Sequence, residues 1–247
     1  RHSRLDSDRE KRQTIFAIGV VSAVIPIFAL VSLATAQVKL DDIGQSLVDG
    51  ESGVVNVLTS TTLAVSTETT VLPGVTSVVD TVVPSPSTTT LDGQVIEIIA
   101  IGDSVMLGAA NVLTERGITV DALKSRPFRQ ALEICNYLKS VNRLGEIVVI
   151  HLGTNNYVDQ KTLDEIMVPL SEVNTVVFVT NYVPTRKWQS SNNKLIRAMP
   201  EIYGNVKILD WYTIAKAHPE YLYGDEIHLN PTGQAVYADL IMQAIGK

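Results

Sequence analysis

Two short stretches, Gly102-Asp103-Ser104 and Asp225-Glu226-Ile227-His228, hold the residue types of nucleophilic acyl transfer. A serine hydroxyl attacks an acyl carbon, an imidazole takes the proton, and a carboxylate fixes the tautomer of the imidazole. Asp225 and His228 stand three positions apart, so the carboxylate can reach the near ring nitrogen while the far one faces a serine. Each stretch also has a plainer reading. Ser104 suits a helix N-cap, and Asp225 with His228 suits a surface pair. Between them, Gly153-Thr154-Asn155-Asn156 offers a side-chain amide. Asn155 either donates to an oxyanion, worth about 3–4 kcal/mol of barrier when well placed, or only makes a turn.

Something must bring these distant residues together, and the pattern from Gln94 onward supplies it. Apolar runs at 95–101, 118–121, 147–150, 176–179 and 206–209 read as strands. Helical spacing follows at 105–115, 128–142 and 232–245. Strands alternating with helices predict a three-layer α/β/α sandwich with a central parallel sheet. In such a fold the ligand crevice lies beyond the carboxyl ends of the strands, where every motif above falls. Cys135, on a helix face with Leu132 and Leu138, reads as core, and His151 at a strand end as a structural histidine.

The 247-residue chain carries a net charge of −6, which argues against a nucleic-acid partner. Its single cysteine excludes an intrachain disulfide and a cysteine-built zinc site. Residues 1–14 are basic, with Arg1, Arg4, Arg9, Lys11 and Arg12, and read as a cytoplasmic segment. Residues 15–36 are an uncharged apolar run of the length needed to cross a bilayer, roughly 20 residues. The charge asymmetry puts the chain from Gln37 onward outside the membrane. An alternative for the run is a signal peptide, with Ala34-Thr35-Ala36 as its cleavage site. Residues 37–93 are rich in Thr, Ser and Val, sustain no period, and lack aromatic residues, so they read as a disordered extracytoplasmic linker. Residues 94–247 then form the globular domain. A start at Arg1 reads as the C-terminal piece of a longer protein.

The ordered blocks Gly102-Asp103-Ser104-Val105, Gly153-Thr154-Asn155 and Asp225-x-x-His228 resemble the SGNH (GDSL-like) hydrolase superfamily. Met106-Leu107-Gly108, Asn181-Tyr182-Val183-Pro184-Thr185-Arg186-Lys187-Trp188 and Asp210-Trp211-Tyr212 sharpen the likeness. With them the domain looks like the extracytoplasmic SGNH domain of peptidoglycan O-acetyltransferases, which is fused to an acyltransferase-3 membrane domain. The resemblance implies Ser104 as nucleophile, His228 as base then acid, and Asp225 as its orienter. It implies an oxyanion hole from Asn155 and the backbone N–H groups of Ser104 and Ser125. Ser125 matches the block that contributes this donor in the family, and the chain then departs from the more usual run, reading Pro127-Phe128-Arg129-Gln130. Arg186 and Trp188 are candidates for an acceptor groove, because sugars stack on aromatic faces. Neither a metal nor a bound cofactor is implied. The acyl group, expected to be acetyl, would come from acetyl-CoA through the membrane domain and pass to a cell-envelope glycan. A membrane-anchored carbohydrate esterase shares the chemistry as far as the acyl-enzyme, and a non-catalytic surface module is a further alternative.

Overall fold

The apolar runs pair side by side in the computed structural model, which describes residues 42–55, 57 and 96–247. The strands are β1 (Ile98–Gly102), β2 (Thr119–Ala122), β3 (Ile147–His151), β4 (Thr175–Val179) and β5 (Val206–Leu209). They form a five-stranded sheet of order β2-β1-β3-β4-β5, parallel throughout. Strand β2 is added on one side of β1 and β3 to β5 on the other, so the order of addition reverses between β1 and β3 and the loops after these strands diverge and leave a crevice.

The period-two alternation of strand side chains builds a core on each face. Ile99, Ile101, Val148, Ile150, Val176 and Phe178 point to one side. There they meet α3 (Gln130–Ser140), α4 (Gln160–Met167) and α5 (Gln189–Ile202). Ile98, Ala100, Val149, Val177 and Val179 point to the other. There they meet α1 (Ser104–Gly108), α2 (Ala110–Glu115), α6 (Trp211–Ala217) and α7 (Pro231–Ile245). Both faces are covered, as the continuous apolar strands require. Each fully buried Ile, Val or Leu contributes roughly 1.5–3 kcal/mol. Cys135 lies in the first core.

Two expectations are corrected. The helix expected over 105–115 is broken at Ala109, whose backbone (φ −101°, ψ 5°) ends α1 and starts α2. The second correction concerns the stretch read as a disordered linker. The chain divides into Arg1–Gln45 and Ser46–Lys247. Of the first, only residues 42–45 are described, and they are helical. In the second, 46–51 are helical and the chain then packs along α2 and β2. The N–H of Val55 donates to Val120 O (2.7 Å), Thr114 Oγ1 to Gly53 O (2.9 Å), and Asn111 Nδ2 to Asp49 O (2.8 Å). A Cβ on Gly50 would stand 1.9 Å from the carbonyl oxygen of Leu107, so only glycine lets this strap approach α1. The composition of the strap hid these contacts because its partners are distant in sequence. The predicted spanning helix, 15–36, lies outside the described residues. Among the described residues no helix is long and apolar enough to cross a membrane.

Candidate active site

Ser104 opens α1 directly beyond β1 and is nearly buried. Asp103, not Ser104, takes the N-cap, its carboxylate accepting from the Val105 N–H at 3.1 Å. The Ser104 hydroxyl is therefore left for another partner, and that partner is His228. Its Nε2 lies 3.0 Å from Ser104 Oγ, and its Nδ1 lies 2.5 Å from Asp225 Oδ2. The chain Ser–His–Asp thus spans 124 positions of sequence.

The loop that presents His228 and Asp225 is pinned at its base. Leu222 pairs with Leu229 in an antiparallel bridge, and the Tyr223 N–H donates to His228 O (2.8 Å). Glu226 turns the tip in a left-handed conformation (φ 60°). Asn230 then caps α7 through the Gly233 N–H and ties its amide to Glu220 O and Leu222 O. Partial burial pushes the Asp225 carboxyl up. Hydrogen bonds from the His228 ring and from the His228 and Ile227 N–H groups outweigh this and hold it below the usual carboxylate range. An anionic Asp225 on Nδ1 fixes the tautomer that leaves Nε2 free to accept the serine proton.

Asn155 stands beside the nucleophile loop. Its Nδ2 points to Asp103 Oδ2 (3.5 Å) and to Arg126 O (3.3 Å), long bonds that an incoming oxyanion can exchange. Ser125 is exposed on the β2–α3 turn in a left-handed conformation (φ 58°). Trp188 docks on the same turn as Asn155, its Nε1 donating to Thr154 O (3.3 Å). The Arg186 guanidinium lies 5.7 Å from the Trp188 ring centre.

Residues outside the Ser104–His228–Asp225 relay hold this arrangement. Gly153 (φ 113°) has no room for a side chain, since a Cβ would meet Asn181 Nδ2 at 2.8 Å. Asn192 Nδ2 donates to Gly153 O (3.0 Å) and Asn156 O (2.9 Å), while its Oδ1 accepts from the Val158 N–H (2.8 Å). Asn193 clasps Asn181 through both amide atoms. Sequence reading missed Asn192 and Asn193, although adjacent polar residues four and three positions before Ile196 carry the signal of a helix face turned inward. It also missed Tyr157, exposed and tilted against Trp188 with ring centres 5.5 Å apart.

Burial dominates two further titrating groups. It pushes Asp103 up to about 6 against hydrogen bonds from Thr154 and Val105, and pushes His151 down to about 3. His151 is thus a neutral core residue, its Nδ1 2.7 Å from the Tyr237 hydroxyl. A cavity of about 310 Å³ lined by Gly145, Glu146 and Asn174 opens at the amino ends of β3 and β4, away from Ser104.

No protein-family model matches the chain. In sequence it is 34% identical over 151 residues to YrhL of Bacillus subtilis, a candidate peptidoglycan O-acetyltransferase. It is 32% identical over 151 residues to the peptidoglycan O-acetyltransferase OatA of Listeria monocytogenes. Either match takes in 60% of this chain and 24% of the relative, so the chain spans about a quarter of the length of these curated relatives. In structure it is similar to the C-terminal catalytic domain of peptidoglycan O-acetyltransferase A of Streptococcus pneumoniae, solved with a methylsulfonyl adduct. That likeness has a TM-score of 0.55 at 29% identity, over 62% of this chain and 94% of that one. A G-D-S-L family lipolytic protein of Veillonella parvula shares the fold (TM-score 0.50, 16% identity, 62% of this chain and 99% of that one). This chain is therefore similar in sequence to peptidoglycan O-acetyltransferases, and in sequence and fold to the C-terminal catalytic domain of one of them.

Proposed function

We propose that this chain transfers an acyl group, acetyl by analogy with its relatives, through a Ser104 acyl-enzyme to a hydroxyl of a cell-envelope glycan. The observation that carries the reading is the continuous hydrogen-bonded chain from Ser104 Oγ through His228 to Asp225 at the mouth of the β1/β3 crevice. His228 accepts the serine proton as Oγ attacks the acyl carbonyl, and gives it to the leaving group as the tetrahedral intermediate collapses. The glycan hydroxyl then loses its proton to His228 and attacks the acyl-enzyme, which returns Ser104 to its starting state. Asn155 and the backbone N–H groups of Ser104 and Ser125 stabilise the oxyanion of both intermediates. Trp188 with Arg186 offers a stacking surface for the acceptor sugar.

The architecture around the domain belongs to the same proposal. Residues 15–36 span the membrane with the N-terminus in the cytoplasm, and the linker holds the domain outside. An acyltransferase-3 membrane domain supplies acetyl groups drawn from acetyl-CoA. The charge asymmetry of the flanks and the names of the relatives support this placement.

The test is product partition. The protein is given an activated acetyl ester, with and without a peptidoglycan-derived oligosaccharide, and glycan-bound acetyl is measured against free acetate. Transfer predicts acetylated glycan at the expense of acetate, lost in Ser104→Ala. Acetate release that no acceptor diverts contradicts transfer and leaves an esterase.

A further inference from the structure

Arg126 and Asp121 form a buried ion pair, 4% and 1% exposed, that has no place in the chemistry above. Arg126 Nη2 donates to Asp121 Oδ1 at 2.5 Å. Its Nη1 donates to Asp121 O at 2.5 Å and to Gly102 O at 3.3 Å. Asp121 Oδ2 accepts the N–H of Val57 from the strap (3.3 Å). One guanidinium therefore joins the end of β2 to the end of β1, two residues before the nucleophile. Its backbone is also engaged, since Arg126 O accepts from Asn155 Nδ2 and its N–H follows the left-handed Ser125.

Stability does not explain this pair. Burying two charges costs several kcal/mol per ion before their attraction returns any of it, and apolar residues of similar volume commonly do as well. Among the described residues Arg126 Nε has no hydrogen-bond partner, a further cost of about 1–3 kcal/mol. What the pair does provide is geometry. A left-handed non-glycine residue persists only where its surroundings hold it, and the planar guanidinium fork fixes direction as well as distance.

We propose that Arg126, held by Asp121, is a positioning residue that sets the Ser125 turn and Asn155 at a fixed distance from Ser104. The inference rests on the proposed acyl transfer, because it assigns Ser125 and Asn155 to the oxyanion hole. Arg126 does not touch substrate. It acts through Gly102 on the nucleophile strand and through its own carbonyl on Asn155.

The experiment compares Arg126→Lys, Arg126→Met and the double variant Asp121→Asn/Arg126→Met in the full chain. Hydrolysis of para-nitrophenyl acetate gives kcat and KM per folded molecule. Sulfonylation of Ser104 by phenylmethylsulfonyl fluoride gives an independent rate, and thermal unfolding gives stability. The double variant removes both charges and keeps an acceptor for Val57, so its melting point returns toward wild type. The expected result is a kcat still down about 100-fold, the loss of an oxyanion donor, with KM within about threefold of wild type. Arg126→Lys keeps the charge without the fork and loses kcat in the same sense, which decides the matter if the methionine variants do not fold. Rates that recover together with the melting point, or a fully active Arg126→Lys, overturn the inference and leave the pair structural. A wild type that neither turns over the ester nor labels at Ser104 overturns the acyl-transfer reading, and this inference with it.

Discussion

The two loops that meet at Ser104 are built in opposite ways. The β3–α4 turn, Gly153 to Val158, is held from within: buried Asn192 fills its backbone hydrogen bonds, Asn181 holds Leu152 O just before it and is itself clasped by Asn193, and glycine is required at its bend. The Leu222–Leu229 loop is held at its base by a bridge and the Asn230 amide, and at its tip by Asp225 accepting the Ile227 and His228 N–H groups, while the side chains of Asp225 and His228 keep 31% and 21% of their exposure. In the proposed transfer Asn155 is an oxyanion donor, and such a donor acts by standing still, so a rigid turn suits it. A base that must serve first a leaving group and then an incoming hydroxyl needs solvent-side access, and a loop hung at its base gives it. Damage to the first loop should therefore cost stability as well as rate, and damage to the second should cost rate alone.

Asp225→Asn tests the exposed side most severely. The imidazole loses the partner that fixes its tautomer, and kcat for ester turnover falls by about 10⁴, with a melting point close to wild type. A large drop in melting point would erase the distinction between the loops. Asn155→Ala, on the exposed tip of the rigid turn, lowers kcat by about 10²–10³ with little change in KM. A pure KM effect in steady-state kinetics would remove Asn155 from the oxyanion hole.

Asn192→Ala should show the other half of the contrast. It strands the buried carbonyl of Gly153 and the buried N–H of Val158, each at about 1–3 kcal/mol, and the half-buried carbonyl of Asn156. Denaturant unfolding is expected to register a loss of a few kcal/mol, and ester turnover should fall with it. An unchanged unfolding midpoint would show that the asparagines do not carry the turn.

The smallest effect concerns pH. Asp103 has a folded pKa of about 6, above its unfolded value of about 3.9. The folded state takes up this proton first as pH falls, so the cost of burying the charge is full above pH 6 and fades toward pH 4. In unfolding measured from pH 7 to pH 4, wild type should gain on Asp103→Asn by on the order of 2 kcal/mol. Parallel stability curves would mean that Asp103 is not strained by burial.

How much of this was legible depended on whether the signal was local. The core strands announced themselves as runs such as Ile147-Val148-Val149-Ile150, because a strand buried on both faces needs no alternation. The spacing of Asp225 and His228 gave the pair, but only the fold could bring Ser104 to it. Helix α5 shows apolar spacing only in its second half, at Leu195, Ile196, Met199 and Ile202, because its first turns read Gln189-Ser190-Ser191-Asn192-Asn193, and Pro200 sits near its end. Its inward polar residues bind the turn after β3, a partner no local pattern reveals. Helix α4 is short, and its start rests on one cap, Asp159 accepting from the Thr162 N–H (2.9 Å). The strap, 46–55 with Val57, looked like linker because it stands at the head of a stretch rich in Thr, Ser and Val and has no aromatic residue, yet Val54 pairs with Val120. Arg126 carries no motif of its own beside Ser125, and its buried partner Asp121 reads in sequence only as the end of a strand.

The most direct test of the account is intact-mass analysis of the protein after brief exposure to an activated acetyl ester. The account predicts a single acetyl adduct that peptide mapping places on Ser104, absent in Ser104→Ala and strongly reduced in His228→Ala. Ester turnover that survives undiminished in Ser104→Ala, or an acetyl group mapped to another residue, would contradict it.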